Sequence, residues 1–158
     1  MGPYRDSASF GKRQEYSAVA ELLKRGFDVY MTLVDDKGID CVVRLDQRRY
    51  VDVQIKARSK TAKQWNFFAA MAFRPRRNLY FIFYTEKTDS FWVMPSYDVA
   101  RLSARNRGGR NAGKYALSLP KDMDGAKAKR LSRYLNDRGF RLLRGSPPAP
   151  AGGLRRAK

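Results

Sequence analysis

Gly38-Ile39-Asp40-Cys41-Val42-Val43-Arg44-Leu45 and, after the polar Asp46-Gln47-Arg48-Arg49, Tyr50-Val51-Asp52-Val53-Gln54-Ile55-Lys56-Ala57 decide the fold. Both runs are rich in β-branched residues, and the four residues between them have the length and polarity of a hairpin loop, so Ile39 to Leu45 and Tyr50 to Ala57 are expected to pair antiparallel. In the second run Asp52, Gln54 and Lys56 project to one face, while Val51, Val53 and Ile55 project to the other. A regular register then brings Asp40 near Gln54 and Lys56. Upstream, Phe27 to Val34 reads as a further strand, closed by the turn chemistry of Asp35-Asp36-Lys37-Gly38, and the three strands form a meander. Before it, Tyr16, Val19, Leu22 and Leu23 recur at helical spacing, which predicts a helix over Phe10 to Arg25 with Gly26 as its stop.

Downstream the pattern is less even. Trp65, Phe67 and Phe68 keep no clean period, so Thr61 to Phe73 reads either as a helix or as an irregular aromatic stretch ending against Pro75. Leu79 to Thr85 and Ser90 to Pro95 form a second hairpin around Glu86-Lys87-Thr88-Asp89, and Ser96 is placed to cap a short helix through Ser103. Arg105 to Lys114 is a Gly-rich basic loop, Tyr115 to Leu119 a last strand, and Asp124 to Asn136 a helix with Ala128, Leu131 and Leu135 inward. Beyond Gly145, Ser-Pro-Pro-Ala-Pro-Ala-Gly-Gly cannot bury a face and is expected to be disordered. The division is an N-terminal arm over 1–9, one domain over 10–144 and a basic tail over 145–158. The fold class is α/β, a mixed β-sheet flanked by helices.

Composition narrows the chemistry. The chain has 158 residues, 43% hydrophobic and 13% aromatic, enough for one core and more apolar than a disordered basic tail. Its 33 Lys and Arg against 15 Asp and Glu give a formal charge of +18, which makes a polyanion the default partner. No apolar run reaches bilayer length and the first twelve residues lack a signal-peptide core, so a cytoplasmic protein without membrane association is expected. With no His and only Cys41, zinc enzymes and hydrolases built on Ser-His-Asp or Cys-His drop out. Carboxylates, amides and lysines remain, an oxygen-rich set suited to Mg²⁺ or Mn²⁺.

Asp40 and Gln54 offer a carboxylate and an amide oxygen to a hard cation, and the Lys56 ammonium can orient a water or steady charge growing on a phosphate. These residues, with Gly11-Lys12-Arg13-Gln14-Glu15 and Leu22-Leu23-Lys24-Arg25-Gly26-Phe27, resemble the PD-(D/E)XK nuclease superfamily over roughly Gly11 to Leu119. The helix and its Gly-Phe ending are similar to archaeal Holliday junction resolvases, and Phe91-Trp92-Val93-Met94-Pro95-Ser96 to a segment of prokaryotic nuclease-like domains. The resemblance implies a restriction-endonuclease-like fold and a metal-dependent deoxyribonuclease. In it Glu15, Asp40, Gln54 and the Ile55 carbonyl bind Mg²⁺ or Mn²⁺, and Lys56 is the family lysine. Two positions depart from the pattern. Gln54 stands where most members carry Glu or Asp, although some homing endonucleases of the superfamily have Gln there, and Ile39 replaces the Pro. Losing one charge weakens metal affinity unless Glu15 compensates, which leaves a catalytically inactive nucleic-acid-binding module as the alternative. A homodimer is the assembly common among resolvase-like relatives.

DNA is the expected partner, with Lys12, Arg13, Arg58, Lys60, Lys63, Arg105, Arg107, Arg110 and Lys114 as phosphate contacts. From Lys121 onward eleven basic residues face three acidic ones, a further surface for the DNA backbone. Asp52 reads either as an alternative ligand or as an ion-pair partner of Arg44 or Arg58. Cys41 is expected to point away from Asp40 as a small buried hydrophobe, and Trp65, Phe67, Phe68 and Phe73 to serve the core more than base stacking.

Overall fold

The computed structural model describes residues 3–34 and 38–145. Helix α1 spans Pro3–Lys24, with proline in the first turn, where its missing N–H costs nothing. It therefore begins well before Phe10 and takes in most of the segment expected to be an arm. Gly26, at φ 74°, ends it: its N–H donates to the Leu23 carbonyl at 2.9 Å and that of Phe27 to Leu22 at 3.1 Å, satisfying carbonyls of the last turn.

Strands β1 (Asp28–Met31), β2 (Cys41–Arg44) and β3 (Tyr50–Arg58) form the expected antiparallel meander, in which Tyr30 pairs with Val42 and Val43 with Val51. β1 stops short of Val34, and the turn residues Asp35, Asp36 and Lys37 lie outside the described residues. The β2–β3 loop is tied by Asp46, whose Oδ1 accepts the N–H groups of Arg48 and Arg49, each at 2.9 Å. Next to β3 runs β5 (Leu79–Thr85), parallel to it, with Gln54 beside Phe81 and Lys56 beside Phe83. β6 (Ser90–Pro95) closes the five-stranded sheet as an antiparallel edge. Every residue of β5 is buried, as a strand covered on both faces requires.

Segment 61–73 resolves as neither expected alternative. It contains strand β4 (Phe67–Met71), part of a second sheet ordered β4-β8-β7 with β7 at Ala104–Arg105 and β8 at Tyr115–Ser118. Pairing slips between Phe68 and Met71, where Ala70 adopts φ 56°, which explains the missing alternation. This sheet covers one face of the large sheet through Phe68, Met71, Tyr115 and Leu117 against Phe81 and Phe83. Phe68 lies 4.8 Å from Phe83 and Phe73 lies 4.7 Å from Phe81, ring centre to ring centre, so these aromatics build the core. On the other face Ala18, Val19 and Leu22 of α1 pack with Val51, Val53 and Ile55.

Helix α2 covers Ser96–Leu102, but Ser96 does not cap it: its Oγ donates to the Arg76 carbonyl and accepts the Arg76 N–H, tying α2 to the segment entering β5. The helix expected through Asn136 is broken. Helix α3 (Ala126–Leu131) and a 3-10 turn end at Leu135, the chain reverses at Asn136 (φ 46°), and α4 (Asn136–Leu142) follows. Ala128 and Leu131 are buried and Leu135 half-buried. Asn136 tolerates the left-handed backbone and its Oδ1 accepts the Phe91 N–H at 2.9 Å. Gly139 lets α4 sit on the turn before it, since a Cβ there would lie 2.0 Å from the Tyr134 carbonyl oxygen. Among the described residues no helix is long and apolar enough to cross a membrane; the tail from residue 146 lies outside them.

Candidate active site

The site is assembled where β2 begins and β3 runs on past it. Asp52 donates its N–H to the Asn78 carbonyl at 2.7 Å, so even-numbered main-chain groups of β3 address β5 and odd-numbered ones address β2. The last register pair between β2 and β3 is Cys41 with Val53. Ile55 lies two residues beyond it, so its N–H points at a flank where the ladder has ended. The Asp40 carboxylate takes that N–H on Oδ2 at 2.6 Å. Asp40 is only 8% exposed, and its own N–H donates to the Val53 carbonyl at 2.9 Å. A buried carboxylate requires such donors. By the same parity the Ile55 carbonyl, the expected main-chain ligand, also addresses this flank.

Gln54 and Lys56 are half-buried on the face of β3 opposite α1, as alternation requires. Gly38 decides where the Gln54 amide rests. At φ 67° it occupies left-handed backbone, and a Cβ there would lie 2.6 Å from Gln54 Nε2. Gln54 thus lies over the turn that leads into Asp40. The Gly38 signal was present in Asp35-Asp36-Lys37-Gly38, but its use as a cradle for Gln54 had no sequence signature.

Glu15 projects from α1, 20% exposed, and forms an ion pair with Lys12 at 2.5 Å. Lys12 is held above its usual range by the hydrogen bond it donates to Glu15, with a further contribution from the charge of Asp40. Burial pushes the Cys41 thiol up to about 12, aided by the negative charges of Asp40 and Glu15. Lys12 and Cys41 therefore each feel the charge of both carboxylates. Cys41 itself is fully buried among Val43, Val53 and Leu22, as expected.

Asp52 pairs with Arg76, not with Arg44 or Arg58, since Arg76 enters from the segment leading into β5. Arg58 is also spoken for: its Nε donates to the Phe67 carbonyl at 2.8 Å and its guanidinium lies 5.7 Å from the Phe68 ring centre, bracing β3 to β4. Arg13, Lys60, Lys63, Arg107 and Arg110 have exposed side chains. Lys12 is engaged by Glu15, Lys114 donates to Asn111 at 3.1 Å, and Arg105 lies over Tyr115 at 4.9 Å. The Gly-rich basic loop Arg105 to Lys114 is closed by its own bonds, Asn106 N–H to the Lys114 carbonyl and Gly113 N–H to the Asn106 carbonyl.

Glu15, Asp40, Gln54 and the Ile55 carbonyl offer two carboxylates, an amide and a main-chain carbonyl, hard oxygen donors of the kind that suit Mg²⁺ or Mn²⁺. Among the described residues no three or more Asp, Glu, His or Cys cluster as metal ligands.

No family model matches the chain, and no curated protein matches its sequence. A solved structure does: the bacterial homing endonuclease I-Ssp6803I superposes with a TM-score of 0.57 at 20% identity, over 85% of this chain and 88% of that one. What this chain shares with I-Ssp6803I, then, is the fold: a mixed sheet with flanking helices.

Proposed function

We propose that the chain is a divalent-cation-dependent endonuclease that hydrolyses DNA phosphodiester bonds with a site of the PD-(D/E)XK kind. The observation that carries this reading is the hydrogen bond from the Ile55 N–H to Asp40 Oδ2, which sets a buried carboxylate beside Gln54-Ile55-Lys56 at a strand end. Support comes from a net charge of +18 and from a fold similar to that of a bacterial homing endonuclease. Glu15, Asp40, Gln54 and the Ile55 carbonyl would hold the cation. When bound, a divalent cation supplies positive charge at the scissile phosphate and lowers the pKa of a water. Asp40, fixed by Ile55, orients the ligand set; Lys56 orients the attacking water and faces the charge that develops on the phosphate. Exposed Arg13, Lys60, Lys63, Arg107 and Arg110 would hold the backbone of the substrate.

One observation favours a second reading, a nucleic-acid-binding module that does not cut. The amide of Gln54 leaves the site with two carboxylates, and charge count governs affinity for hard cations. Incubation with plasmid, linear and four-way-junction DNA in Mg²⁺, Mn²⁺ or EDTA decides between them. Cleavage that needs a cation and disappears in Asp40→Asn supports the nuclease. Binding without cleavage under every cation supports the module. Preference for the four-way junction would make the activity resolvase-like, and cleavage at defined duplex sites homing-like.

A further inference from the structure

The opposite end of β3 carries a feature that the site does not use. Arg48 and Arg49 of the β2–β3 loop, Tyr50, and Arg77 with Asn78 ahead of β5 line a depression of about 340 Å³ with Leu45 in its wall. No carboxylate is among the described residues that line it. Arg49 is neutralised by Asp46 at 2.5 Å, whereas Arg48 and Arg77 are exposed and their side chains form no ion pair among the described residues. Tyr50 presents its ring to solvent, 46% exposed. Two guanidinium groups uncompensated by an acid, beside an exposed aromatic ring, suit a phosphate with its base stacked on the ring.

Alternation places Tyr50 on the same face as Asp52, Gln54 and Lys56, while the other walls of the depression, Leu45, Val51 and Tyr80, belong to the α1 side, so it sits at the rim of the sheet at the end of β3 away from Asp40. Asp52 is the only acid of β3 on that face, and Arg76 neutralises it, so nothing along the strand repels a polyanion. Six residues of strand separate Tyr50 from Lys56, about 20 Å at roughly 3.3 Å per residue.

Resting on the nuclease reading for its polyanion, we propose that this depression is a second anchoring site that takes a nucleoside phosphate of the DNA at the end of β3 away from Asp40. Arg48 and Arg77 bind the phosphate and Tyr50 carries the base.

Anisotropy titrations of the full chain with a labelled DNA single strand and a labelled duplex, each about 20 nucleotides long, test it in EDTA, where cleavage plays no part. Arg48→Gln/Arg77→Gln is compared with Lys24→Gln/Lys87→Gln, which removes the same charge from exposed positions at the end of α1 and in the β5–β6 turn, and thermal melting checks that both remain folded. The expected result is a loss of about tenfold for the first pair, with a salt slope shallower by about two, and under threefold for the second. Tyr50→Ala should weaken the single strand by about fivefold or more. Equal losses in the two pairs would reduce the depression to general charge and overturn the proposal, as would no loss in the first. If millimolar dTMP displaces the strand from the parent but not from Arg48→Gln/Arg77→Gln, the depression serves a free nucleotide and the strand anchor is refuted. Failure of the nuclease reading shows separately, as a chain that loses strand affinity with Arg48 and Arg77 yet never cuts in Mg²⁺ or Mn²⁺.

Discussion

Replacing Asp40 separates its two tasks. Its carboxylate accepts the N–H of Ile55, a residue only 7% exposed. In Asp40→Ala that donor loses its partner at a buried position. A hydrogen bond to a charged group contributes about 1.5–3 kcal/mol, and an orphaned buried donor costs about 1–3 kcal/mol. The two figures describe the same loss, so we expect destabilisation of about 2–3 kcal/mol, a fall in Tm of roughly 4–10 °C for a chain of this size. Asp40→Asn keeps an acceptor oxygen and should cost about 1 kcal/mol or less, while removing the charge that attracts a cation. Urea denaturation measures the first effect and calorimetric titration with Mn²⁺ the second. Unfolding of Asp40→Ala at the parent's urea midpoint would refute the structural argument. Mn²⁺ binding by Asp40→Asn at parental affinity would refute the site and make the non-cutting module the leading reading.

Gln54→Glu adds a carboxylate at the neutral position and should keep or tighten Mn²⁺ binding, whereas Gln54→Ala should lose both ligand and activity; calorimetry alongside a plasmid nicking assay reads both. Lys56→Ala should abolish cleavage and leave melting and duplex binding near parental values, because it removes one of 33 basic residues, and a matching loss of binding would make Lys56 a phosphate contact only. Gly139→Ala forces a Cβ to within 2.0 Å of the Tyr134 carbonyl oxygen, where backbone has to move, and should cost about 3 kcal/mol in urea denaturation. The folded chain holds the protons of Cys41, Tyr84 and Tyr134 up to about 12, against 9.0 for a free thiol and 10.0 for a free phenol. The folded state therefore binds more protons than the unfolded one across that window, and stability falls as pH rises from about 9 to about 12. A urea midpoint that is the same at about pH 8 and about pH 11 would contradict this.

Local rules made the meander and the β5–β6 hairpin legible. Alternation, β-branched residues and loop chemistry agree over 39–58 and 79–95, and the partners are neighbours in sequence. β4 was not legible for the opposite reasons. Its partner β8 lies some fifty residues away, and Phe67-Phe68-Ala69-Ala70-Met71 contains an irregularity with Ala70 at φ 56°, so no period survives to be read. The break at Asn136 was hidden because Asp124 to Asn136 has helical composition throughout. Tertiary contacts, the Asn136 bond to Phe91 and the seat for Gly139, overrule it. In the site, the placing of Asp40 beside β3 followed from the hairpin and that of Gln54 and Lys56 from alternation. Arg76 as the partner of Asp52 did not follow, because the parallel pairing of β3 with β5 that brings it there is non-local.

The bond between Asp40 and Ile55 also bears on how such a protein would change if its chemistry ceased to matter. A residue that only held a cation could drift freely once cutting was lost. Asp40 could not, because it closes the strand end that β2 leaves open, and its loss would expose a buried amide. Glu15 carries no comparable duty toward the main chain among the contacts described above, where its partner is the Lys12 side chain. On the nuclease reading, an aspartate at this position in descendants of this chain would record a sheet that still folds, and the glutamate a site that still cuts.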